Sequence, residues 1–66
     1  MEETVKQQVQ ECISEISRYS TVWNGKRVVI HPIHYRKIIS ITVEGKTEEF
    51  NYNEIENASK YILEKI

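Results

Sequence analysis

Few side chains in this 66-residue sequence can do covalent or metal chemistry. The single thiol is Cys12, and the only imidazoles are His31 and His34. There is no Asp, so all 10 acidic residues are Glu. Cys12 shares a helical apolar stripe with Val5, Val9 and Ile13, which marks a core thiol rather than a nucleophile. His31 and His34 could ligate a metal with Glu48 or Glu49 as a third donor. Two imidazoles alone do not make a site, and a structural zinc takes four ligands. The Glu residues lie mostly on helix faces and around the 44–49 turn, where the pattern keeps them in water. A general acid or base needs a perturbed, partly buried pKa. Gly25 and Gly45 both read as turn residues, so no glycine loop is left to cradle a phosphate. The expectation is a protein that is not an enzyme, with no metal and no cofactor.

A second constellation is built from charge. Lys26, Arg27, Arg36 and Lys37 lie between Thr21 and Ser40 with no acidic residue among them. The segments on either side are acidic. Trp23, His31, His34 and Tyr35 interleave with the four cations. Cations among aromatics suit nucleic acid, where phosphates meet Lys or Arg and bases stack on rings. They equally suit a protein interface, which favours Trp, Tyr and Arg. Edge-strand Lys and Arg also serve simply to block aggregation. The candidate partner-binding set is therefore Trp23, Lys26, Arg27, His34, Tyr35, Arg36 and Lys37. If neighbouring strands pair, the four cations can gather on one side of a sheet. Trp23, beside a turn, either covers the core or stands out as an anchor.

The elements that must position these residues follow from periodicity. Val5, Val9, Cys12, Ile13 and Ile16 recur at the helical period, opposite a polar face. Thr4 and Gln7 have capping-box spacing. Asn24-Gly25 suits a type I′ hairpin turn between strands over 20–23 and 26–30. Pro32 is expected to end the second strand, because it cannot donate to a ladder. Ile39, Ile41 and Val43 alternate with polar residues as in a half-buried strand. Glu44-Gly45-Lys46 reads as a turn, and 47–52 as the last strand. An even loop keeps Phe50 and Tyr52 on the face of Ile39 and Ile41. Asn51 with Glu54, or Asn53 with Glu56, caps a final helix whose stripe is Ile55, Ala58, Ile62 and Ile66.

Composition sets the frame. A 7.8 kDa chain with 39% hydrophobic and 29% charged residues is expected to form one globular domain over residues 1–66. The net charge of −1 excludes a histone-like polycation. No apolar run nears the length of about 18 residues that a membrane helix needs. The acidic Met1-Glu2-Glu3 start lacks a secretory h-region. One cysteine excludes an internal disulfide framework. These features together suggest a cytoplasmic setting.

The predicted architecture is α+β: helix, three or four antiparallel strands in a meander, helix, with both helices on one sheet face as a two-layer sandwich. With Ile41-Thr42-Val43-Glu44-Gly45-Lys46 and a closing helix in comparable places, this element order resembles that of double-stranded-RNA-binding domains. That family opens its last helix with a basic, phosphate-gripping cluster. Here the matching stretch, Asn53 to Lys60, is acidic, so RNA binding is not carried over. The same order occurs in small inhibitors and accessory proteins of phages and mobile elements. The expected function is a small non-enzymatic protein-binding module: an inhibitor, adaptor or regulator acting by charged surface complementarity. The alternative is nucleic-acid binding through the basic strand surface. A small sheet also leaves an edge through which a homodimer can form.

Overall fold

The N-terminal stripe winds into α1 (Glu2–Glu15), which buries Val5, Val9 and Cys12. The computed structural model describes residues 1–66. After α1 come β1 (Tyr19–Trp23), β2 (Lys26–Ile33), a one-turn 3-10 helix (His34–Arg36), β3 (Ile38–Val43), β4 (Lys46–Asn51) and α2 (Ile55–Lys65). The sheet is a four-stranded antiparallel meander in the order β1-β2-β3-β4. Both helices pack on one face of it, so the fold is the two-layer α+β arrangement expected from the pattern.

Register places the core. Val28 stands opposite Val43, Ile30 opposite Ile41, and Ile39 opposite Phe50. The five aliphatic members of these pairs are buried, and they meet Val5, Val9, Cys12, Ala58 and Ile62 from the helices. Shifting a strand by one residue would turn this set toward water, so burial holds the register. The other sheet face carries Val22, Arg27, His31, Thr42, Thr47 and Glu49, with no helix over it. There Thr42 and Thr47 join hydroxyl to hydroxyl at 2.8 Å across the strands.

Several local expectations need correction. The Thr4–Gln7 capping box does not form. The helix starts upstream, with Met1 at the cap position and no side-chain cap bond. Glu2 and Glu3 fill the first turn, where negative charge meets the positive end of the helix dipole. Ile16 leaves the apolar stripe, because it terminates α1 in the left-handed conformation and is 52% exposed.

Pro32 does not end β2. The strand runs on to Ile33, with Pro32 buried opposite Ile39. The Glu44 N–H donates to the Arg27 carbonyl, so odd-numbered β2 residues turn their backbone groups toward β3. Even-numbered residues face β1, and β1 begins at Tyr19, opposite Ile30. Pro32 therefore lies beyond β1, where its missing N–H breaks no ladder bond.

β4 stops at Asn51, so Tyr52 lies in the following turn rather than in the strand. The Asn51–Glu54 capping box is half made. Glu54 Oε1 accepts the Asn51 N–H at 2.8 Å, but no side chain caps α2 in return. Glu56 does not cap either. It pairs with Lys6 of α1 and ties the two helices together.

Candidate functional site

The four cations do not gather. Lys26 and Arg27 open β2, whereas Arg36 and Lys37 follow its far end. Arg27 to Ile33 alone spans about 20 Å at ~3.3 Å per residue. The expected basic stripe is thus two separate pairs, because a single strand lies between them.

The first pair sits at the hairpin end. Lys26 stands opposite Trp23. Glu44 adds a negative charge beside Arg27, its Oε2 accepting the Arg27 backbone N–H at 2.8 Å. Trp23 is half-buried, packs against the core, and lies 6.2 Å from the Tyr19 ring, centroid to centroid. It covers the core edge rather than standing out as an anchor.

The second pair sits in the β2–β3 connection. Here the structure brings together His34, Tyr35, Arg36 and Lys37, all exposed. Tyr35 is 87% exposed. The backbone beneath it is nevertheless held firmly. Lys37 adopts φ 57° and its N–H donates to the His34 carbonyl at 3.1 Å. The Lys37 carbonyl accepts the Tyr52 N–H at 2.9 Å. The His34 ring leans on the Tyr52 ring at 6.1 Å. Lys37 Nζ lies 3.5 Å from His34 Nε2. The turn therefore presents a tyrosine and two cations on a pinned backbone.

Beside it, Asn51, Tyr52 and Asn53 line a shallow concavity with Arg36 and Lys37. Sequence reasoning missed these three residues. The signal was present in the meander itself, since pairing Ile38 with Asn51 must bring the β4–α2 turn next to the β2–β3 turn.

The other chemical candidates are dispersed. Cys12 is buried in the core, and burial pushes its thiol pKa up, so it stays protonated at neutral pH. His31 lies on the open sheet face opposite Ser40, away from the core. No three His, Cys, Asp or Glu side chains converge to hold a metal. A groove between α1 and α2 is lined by charged and polar groups, among them Glu2, Glu3, Lys6 and Glu56, with Leu63 its only apolar member. The Lys6–Glu56 pair lowers the Glu56 pKa and raises that of Lys6, first through their hydrogen bond and then through charge. No helix is long and apolar enough to cross a membrane. Comparison with protein-family models, with curated proteins and with solved structures finds no match to this chain.

Proposed function

We propose that this chain is a small non-enzymatic protein-binding module, an inhibitor, adaptor or regulator that docks through the His34–Lys37 turn. The observation that carries the reading is Tyr35, an exposed aromatic on a backbone pinned by Lys37 and Tyr52. A pinned backbone leaves only the side chain of Tyr35 to be ordered on binding, and Tyr and Arg are enriched at interface hot spots. Arg36 and Lys37 flank it, so the matching surface is a partner protein with a slot for the ring and an acidic rim. Charge complementarity at that rim would speed encounter and fix orientation.

The test is affinity capture from lysate, run with and without nuclease treatment, with matched baits. The wild-type bait retains a defined protein. Tyr35→Ala weakens its binding by at least about tenfold, the effect of losing one hot-spot residue. Arg36→Glu with Lys37→Glu abolishes it. A protein retained equally by all three baits refutes the assignment of the surface. Retention of nucleic acid instead, with affinity falling steeply as salt rises, would favour the nucleic-acid alternative.

A further inference from the structure

The two edges of the sheet are built differently. β4 carries Lys46, Glu48 and Glu49, and charge on an edge opposes pairing with another chain. Its end is also closed: Glu54 Oε1 accepts the Asn51 N–H, and the Asn51 carbonyl accepts the Glu54 N–H at 2.9 Å. β1, Tyr19-Ser20-Thr21-Val22-Trp23, has no charge, no proline and no glycine. Tyr19, Thr21 and Trp23 point their backbone groups at β2, since their partners Ile30, Val28 and Lys26 are the even-numbered residues that face β1. Ser20 and Val22 therefore turn their N–H and C=O groups outward, and no backbone or side-chain group bonds them. Val22 also exposes 57% of its surface.

We infer that β1 is the docking edge for a second copy of this chain, added antiparallel to make a continuous eight-stranded sheet. The occupant is chosen by self-complementarity. A two-fold axis through Thr21 sets Ser20 of one copy against Val22 of the other, twice. These are the two residues with free outward groups, so every such donor meets an acceptor. The same register sets Tyr19 against Trp23 of the second copy on the helix side, and cross-strand aromatic pairs stabilise a sheet. Arg18 meets Asn24, so no like charges are opposed. A five-residue ribbon buries less than the ~1,200 Å² of a typical stable interface, which places the dimer in the micromolar range. This inference is independent of the Tyr35 surface, which lies on another connection.

Sedimentation velocity from about 1 to 500 µM, a range bracketing such affinities, tests it. A concentration-dependent dimer is expected. Ser20→Lys with Val22→Lys, both at exposed positions, opposes two pairs of lysines and weakens the dimer by at least about tenfold. Thr21→Cys supplies a second readout. In this register the two substituted positions form a non-hydrogen-bonded pair, with Cα atoms ~4.5 Å apart and within disulfide reach. Mild oxidation therefore links two Thr21→Cys chains much faster than two Ser20→Cys chains. A single monomeric species at all concentrations overturns the proposal. So does a dimer indifferent to the double lysine substitution, or cross-linking no faster at Thr21→Cys than at Ser20→Cys.

Discussion

Four residues other than glycine hold left-handed backbone: Ile16, Asn24, Lys37 and Glu44. Asn24 is the one that sequence announces, because Asn-Gly meets the needs of a type I′ turn cheaply. Glu44 takes the same place before Gly45, and its carboxylate reaches the Arg27 N–H. Ile16 is the costly case. A β-branched residue at φ 51° strains against its own backbone, and its exposed side chain gains little packing in return. Its spacing fits the apolar stripe, so periodicity alone hides its role as a helix terminator. Glycine is the favoured residue at this position. Ile16→Gly relieves about 1–2 kcal/mol of backbone strain. The freer unfolded glycine chain gives back about half of that. The expected net gain is about 0.5–1 kcal/mol, a thermal midpoint about 2–8 °C higher by differential scanning calorimetry. A lower midpoint would show that the Ile16 side chain packs better than its exposure suggests.

At the scale of elements, the helical stripes, the Asn24-Gly25 hairpin and the β3–β4 register were all legible, because each is written in local period or turn chemistry. Pro32 was misread because its cost depends on whether a strand lies on its N–H side, and that is a property of the whole sheet. The separation of the cations was hidden for the same reason: neighbours in a charge count sit at opposite ends of β2. Ser59, beside Ala58 in α2, is only 5% exposed, and its Oγ has no partner. Burying an unpaired hydroxyl costs about 1–3 kcal/mol by mutational measures. Alanine is also the better helix former. Ser59→Ala is thus expected to stabilise the fold by about 1 kcal/mol in urea unfolding, with the slope unchanged. Destabilisation would mean that the hydroxyl finds a partner in solution.

For the whole molecule, the dependence of stability on pH follows from which charged and neutral groups folding favours. Lys6–Glu56 joins the two helices, but both side chains stand in water, so the pair is weak and is screened by salt. The folded state depresses the Glu56 pKa, so its contribution is present above the unfolded value near 4.3 and is lost as pH falls through the folded one. Lys6 has the opposite sign: its contribution is present below its unfolded pKa near 10.4 and is lost above its raised folded value. Cys12 acts between these limits. Its thiol is kept neutral by the core, so its folded pKa is raised, chiefly by desolvation. The unfolded thiol ionises from about pH 8.5 upward while the folded one does not, and each unit of pH then removes up to about 1.4 kcal/mol. Folding stability should accordingly hold level across neutral pH, drop below pH ~4, and fall again from pH ~8.5. Cys12→Ala costs stability at every pH through the lost core volume. It should nonetheless flatten the alkaline fall up to pH ~10, where the lysines begin to titrate. Urea midpoints of wild type and Cys12→Ala, taken from pH ~7 to ~10, read this directly. Parallel curves would mean that the thiol ionises as readily in the folded protein as in the unfolded chain, and that the core admits water around α1. In that event Cys12 would also react with a thiol reagent under native conditions, at a rate rising with pH.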